Sequence, residues 1–298
     1  MNYDCVPCFV KQALGAARLA GADRGQLKEV LSRLGGMIPG FSFDVSPPQL
    51  SRDMYRMVME VTENDDPFRA IKEKSNRIAL SRYEMIRQKV FSSADPLRTA
   101  VDLSIAGNII DFGVRKSFDI DRELTNLMRE GSSVSHLDSK PIYFYPEYRD
   151  ALQRAETLLV LGDNAGEVVL DRILLEVITD LYPRMRVTYA VKERPVINDA
   201  LVEDALLAGL DKVAEVISSG SDAPGTILSM CTPAFVRLFR DSDMVISKGQ
   251  GNFETLTQED RCPVFFLFMA KCAVVAKYLE CELGDVILLD YALWEKGS

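Results

Sequence analysis

From Pro7 to about Arg129 the apolar residues recur at three- and four-residue spacing with no alternating run, which predicts a helical stretch. Val10, Leu14, Ala17 and Leu19 mark the buried face of a first helix. Met54, Met57, Val58 and Val61 mark another after Ser51, whose hydroxyl is placed to cap it. Asp95 followed by Pro96 predicts a further helix start, since Asp caps well and Pro suits the first turn. From about Lys140 the grammar changes to short apolar runs, each closed by a polar or glycine-containing turn and often followed by a helical pattern. They cover 157–161, 186–191, 212–217, 244–247, 264–268 and 286–289. The predicted fold is therefore α/β: a helical amino-terminal region (1–139) packed on an α/β/α sandwich (140–298) with a mostly parallel sheet.

In such sheets the loops at the carboxyl ends of the strands gather on one edge and form the ligand crevice. Three polar clusters fall there: Gly-Asp-Asn-Ala-Gly-Glu at 162–167, Lys-Glu-Arg-Pro-Val-Ile-Asn-Asp at 192–199 and Ser-Lys-Gly-Gln-Gly-Asn-Phe-Glu at 247–254. Asp163, Asn164 and Asp199 supply hard oxygen donors, suited to Mg²⁺ or Mn²⁺ rather than to a thiolate-seeking ion. Each has a plainer alternative: Asp163 and Asn164 as caps of the helix that follows, and Asn198 or Asp199 as the cap of a helix through Leu201, Val202, Ala205 and Leu206. Lys248 opens a glycine turn where an ammonium can meet a phosphate, its plain alternative being a solvated lysine. It precedes its glycines, so the segment is not a Walker A loop.

Other phosphoryl-transfer signatures fail. Asp163 has Ala165 two residues on, so the Asp-x-Asp pairing of aspartyl-phosphate enzymes is missing. Cys231 and Arg237 have the Cys-x5-Arg spacing, but Thr232-Pro233 between them reads as a helix start without a glycine-rich cradle. A methyltransferase would share the sheet, yet the turn at 162–167 lacks the open glycine-rich pattern its cofactor needs.

Composition narrows the classes further. The chain has 298 residues and a formal net charge of −9, with Lys and Arg scattered, which argues against nucleic acid as a partner. An anionic substrate thus needs a locally positive or metal-loaded pocket. The first residues are interrupted by Asp4 and Lys11 and lack a secretion pattern. The most apolar late stretch is broken by Lys271 and Lys277, so no membrane span is expected and the cytoplasm is the expected location. Six cysteines without an export signal are expected reduced. Cys5 and Cys8 form one C-x2-C, half of a zinc site, for which Cys272 is one further ligand candidate; a simple thiol role is the alternative. His136 is the one histidine, which excludes histidine-rich metal chemistry.

The pieces Cys5-Val-Pro-Cys8, Asp66-Pro67-Phe68, Ala106-Gly107-Asn108-Ile-Ile-Asp111, Gly162-Asp-Asn-Ala-Gly-Glu167, Asn198-Asp199 and Lys248-Gly-Gln-Gly-Asn252, in this order, resemble the damage-control phosphatase family. The likeness is to its short subfamily with an amino-terminal cysteine pair. It implies metal-dependent hydrolysis of small phosphorylated metabolites, with Mn, Co, Ni or Mg as the ion. It also implies metal ligands at Asp163, Asn164 and Asp199, and substrate contacts at Lys248, Asn252, Asn108 and Asp111. Asp163 and Lys248 are then the catalytic pair, with Asp163 either positioning a water or attacking directly. The rival reading is a sugar-phosphate or nucleotide-binding regulator that keeps the pocket without the chemistry.

Overall fold

The computed structural model describes residues 1–107, 142–257 and 263–297. Asn108, Asp111, His136, Cys262 and the expected boundary at 139/140 lie outside the described residues. The early helices are α1 (Cys5–Leu19), α2 (Arg24–Met37), α3 (Pro47–Thr62), α4 (Arg69–Phe91) and α5 (Pro96–Ala106). Asp95 caps α5 as predicted, its carboxylate accepting the Arg98 N–H at 3.0 Å. Ser51 does not cap α3. That helix starts four residues earlier at Pro47 and Pro48, whose fixed φ and missing N–H groups suit a first turn, and the Ser51 hydroxyl donates to the Pro48 carbonyl.

The second half runs α6 (Tyr145–Arg154), β1 (Thr157–Leu161), α7 (Glu167–Leu181), β2 (Arg186–Val191), α8 (Val202–Ala208) and β3 (Glu215–Ser218). It continues through α9 (Pro233–Asp241), β4 (Met244–Lys248), α10 (Gln250–Leu256), β5 (Val264–Met269), α11 (Ala273–Tyr278), β6 (Val286–Asp290) and α12 (Tyr291–Gly297). One sheet carries all six strands in the order β3-β2-β1-β4-β5-β6, parallel except for β6, which runs antiparallel to β5. β4 is buried at every position, which is why it reads as an unbroken apolar run rather than an alternation. Only β3 starts markedly later than expected. Gly209, at φ +78°, ends α8, and residues Leu210–Lys212 form a 3-10 turn that buries Leu210 before the edge strand begins.

Helices cover both faces of the sheet. Tyr83, Val101, Val168 and Ile173 pack with Leu158, Ile246 and Leu267 on one face, and Phe235, Phe239, Phe253 and Val275 pack with Leu159, Leu161, Phe266 and Ile287 on the other. The helices of the amino-terminal region divide between two cores. α4 and α5 bury their apolar faces against α7 in the sheet's own core, whereas α1, α2 and α3 form a separate cluster around Phe9, Ala13, Val30, Leu34, Met54 and Val58. Val196, from the loop after β2, is buried in that cluster and ties it to the sheet edge. No described helix is long and apolar enough to cross a membrane.

Candidate active site

Strand order reverses direction between β1 and β4, and the crevice beyond their carboxyl ends is where a doubly wound sheet receives ligands. Asp163 follows β1 there, and Gly249 follows β4. Two backbone bonds fix the turn: the Ala165 N–H donates to the Asn198 carbonyl at 2.9 Å and the Ala200 N–H to the Asp163 carbonyl at 2.8 Å. They set Asn164 opposite Asp199 in a short antiparallel bridge, with Asp163 adjacent in the chain.

Neither carboxylate acts as a helix cap. α7 starts at Gly166 without a side-chain cap, and the Gly166 N–H donates to Asn76 Oδ1 at 2.6 Å. α8 starts at Leu201, whose N–H donates to Asp204 Oδ2. Asp199 is 1% exposed, and neither of its carboxylate oxygens has a hydrogen-bond partner. The nearest cation is the Lys192 ammonium, 3.7 Å away, which itself donates to the Gly225 carbonyl. Burial pushes the Asp199 carboxyl up to about 8, against the pull of Lys192 and with the help of Asp163. Asn164 turns its amide nitrogen to Asp163 Oδ2 at 2.7 Å and Glu167 Oε2 at 3.1 Å. Asp163 reaches solvent, whereas Glu167, Asp171 and Asp199 are all buried.

Lys248 is neither a solvated lysine nor a residue of the glycine turn, which corrects the expected placement. It is the last residue of β4, wholly buried, and donates to Glu167 Oε1, to Asp171 Oδ1 at 2.7 Å and to the Ser104 carbonyl at 3.0 Å. Burial alone would lower its pKa, but Asp171 and Glu167 outweigh that and hold the ammonium charged. Glu167 in turn is pushed up to about 7, first by burial, with Lys248 pulling the other way. With three acceptors engaged, Lys248 meets a phosphate only by giving one of them up.

Asn252 also differs from expectation. Its side chain is fully buried; its Oδ1 accepts from the Thr226 hydroxyl at 2.7 Å and its amide nitrogen donates to the Lys248 carbonyl at 2.7 Å. It braces the end of β4 instead of facing a ligand. Cys231 donates its thiol to the Ile227 carbonyl, burial pushes it up to about 11, and Thr232 caps α9, so the Cys-x5-Arg spacing holds no activated nucleophile.

Several site residues escaped the sequence reading: Ser104, Asn76, Asp171, Lys192 and Tyr189, whose hydroxyl donates to Asp171 Oδ2 at 2.6 Å. Asp171 left a trace, as an acid one turn after Glu167 inside the apolar run of α7. Lys192 directly follows β2, at the head of the polar cluster at 192–199. Asn76 and Ser104 left none, because both lie on helices remote in sequence.

The whole chain has known relatives. Residues 1–287 match the damage-control phosphatase ARMT1-like domain. The chain is 32% identical to damage-control phosphatase PH1575 of Pyrococcus horikoshii over 97% of each chain. It is 27% identical to a damage-control phosphatase of Archaeoglobus fulgidus over 95% of this chain and 96% of that one. The crystal structure of the Pyrococcus horikoshii protein, described as a DUF89 family member, superposes with a TM-score of 0.87 at 30% identity, covering 98% of this chain and 99% of the other. A match of this extent, on this fold, shows that the chain belongs to the ARMT1-like damage-control phosphatase domain family.

Proposed function

We propose that this protein is a divalent-metal-dependent phosphatase of small phosphorylated metabolites, working in the cytoplasm, with Asp163, the Asn164 carbonyl and Asp199 holding the ion. The observation that carries the reading is Asp199: a buried carboxylate whose two oxygens accept no hydrogen bond and meet only the Lys192 ammonium at 3.7 Å, set beside Asp163 in a ligand crevice. A buried carboxylate without hydrogen-bond donors is costly, and a cation bound by hard oxygen donors removes that cost. The donor set fits Mn²⁺, Mg²⁺, Co²⁺ or Ni²⁺. Relatives named damage-control phosphatases support the phosphatase class.

A divalent ion at these residues supplies Lewis-acid polarisation of a phosphoryl oxygen. The protein's own groups do the rest. Asp163 reaches solvent and can take a proton from an attacking water or attack the phosphorus itself. Glu167 fixes the Asn164 amide, and Lys248 pairs with Glu167 and Asp171 from beneath, acting as a positioning residue.

The test is phosphate release from p-nitrophenyl phosphate with Mn²⁺, Co²⁺, Ni²⁺ or Mg²⁺, and with chelator. Stimulation by an ion is expected, with turnover lost in Asp163→Ala and in Asp199→Asn while both variants stay folded. Absence of ion-stimulated release would overturn the reading in favour of a binding protein.

A further inference from the structure

Cys5 and Cys8 open α1 as free thiols, and among the described residues no three His, Cys, Asp or Glu side chains gather there to hold an ion. The contact that bears on the acidic centre comes instead from α4. Asp163 and Asn164 lie in one turn and Asp199 in another, and two backbone bonds join these turns, Ala165 to Asn198 and Ala200 to Asp163. A third link is made of side chains. Asn76, buried on α4, accepts the Gly166 N–H at 2.6 Å through Oδ1 and donates through Nδ2 to Asp204 Oδ1, also at 2.6 Å. Asp204, buried in the first turn of α8, accepts the Leu201 N–H on its other oxygen at 2.9 Å.

The chain of bonds therefore runs Gly166, Asn76, Asp204, Leu201. It starts two residues after Asn164 and ends two residues after Asp199. α4 packs on both α7 and α8, which brings Asn76 between the starts of those helices. An amide is the group this place requires. The N–H on one side needs an acceptor, the carboxylate on the other needs a donor, and one planar side chain supplies both. An apolar residue would leave the Gly166 N–H and Asp204 short of partners in a buried place, and an aspartate would set two carboxylates face to face.

We propose that Asn76 and Asp204 are positioning residues: a side-chain clasp that fixes the spacing of the two ligand-bearing turns, so that a helix contributing no ligand sets how tightly the ion is held. This rests on the reading of Asp163, Asn164 and Asp199 as the ion's ligands. Groups that orient ligands from outside change metal affinity by ~10–100-fold when lost, and the clasp reaches both turns at once.

Mn²⁺ titration of the full-length protein, read by the EPR signal of the free ion, tests this together with hydrogen exchange of the metal-free protein. Asp204→Asn leaves one acceptor oxygen for two donors. It is expected to weaken Mn²⁺ at least ~10-fold and to speed exchange both at Leu201 and across 163–166, the turn that the clasp links to it. Asn76→Asp should do the same; Asp204→Asn, which removes no bulk and adds no charge, carries the test if that variant fails to fold. Combining Asn76→Asp with Asp204→Asn keeps all three bonds with the middle one reversed, and should recover most of the affinity and the protection. Faster exchange at Leu201 alone, with Mn²⁺ affinity unchanged, marks a local helix cap and would overturn the proposal. So would a loss that the combined variant, melting like the wild type, does not recover. Wild-type protein that takes up no Mn²⁺ would instead overturn the ion reading, and exchange across 163–166 in Asp204→Asn would still decide the clasp.

Discussion

A Cβ added at residue 249 would lie 2.0 Å from Asp163 Oδ2, and the glycine there has φ +80°. Only glycine lets the Asp163 carboxylate lie over the backbone of the β4 turn, and only glycine adopts that φ without strain. Gly249→Ala is therefore expected to displace Asp163, lowering kcat by ~10-fold or more and weakening the ion, with a stability loss of ~1–3 kcal/mol from the backbone. Steady-state kinetics with a melting curve check this; wild-type kcat would show that the carboxylate does not need its position. Lys248 invites a sharper experiment. Removing one partner of a buried ion pair costs ~3–5 kcal/mol, so Lys248→Met should destabilise strongly by leaving Glu167 and Asp171 without their cation. Adding Glu167→Gln and Asp171→Asn should restore most of the stability without restoring turnover. Denaturant unfolding of the single and combined variants decides it: a Lys248→Met protein of wild-type stability would mean the ammonium does not neutralise those acids.

At the scale of elements, the loops that carry the site are held from the helical side. The loop after β2 buries Val196 in the core of α1, α2 and α3, and Ile197 takes φ +39°, a conformation a β-branched residue adopts only when its surroundings impose it. Two residues on is Asp199, so the packing of the helical unit sets the position of a proposed ligand. The loop after β3 is clamped as well: Arg52 and Arg56 of α3 both bond Asp222. Burial pushes the Asp222 carboxyl up, but the hydrogen bonds and charges of the two arginines outweigh it, and the net displacement is downward. A lowered folded pKa contributes stability above the unfolded value near ~3.9 and loses it as pH falls through the folded value. Hydrogen exchange in α3, corrected for intrinsic rates, should then speed up below about pH 4. Asp222→Asn should show the fast exchange at neutral pH and lose that dependence. Equal protection in both proteins would remove the clamp.

For the whole molecule, the sequence determined much of the architecture. Strands buried on both faces must be nearly all apolar and must end in polar turns, so β1, β2 and β4 were legible almost to the residue, as was the shared edge of their loops. Asp163, Asn164 and Asp199 were legible for the same reason, since they directly follow or close those turns. Tertiary structure alone decided what those residues touch. A lysine after a strand reads the same whether it faces solvent or carboxylates; the Ser104 carbonyl and Asp171, 144 and 77 residues away, make Lys248 a buried counter-ion. Asn252 likewise became a brace because Thr226 came to meet it across 26 residues. The helical unit divided between two cores because α4 and α5 carry apolar faces that fit α7, a matter of complementary surfaces. Local pattern fixes which face of an element is apolar; which partner covers that face, and which polar group is left unpaired beside it, depends on contacts between residues far apart in the chain.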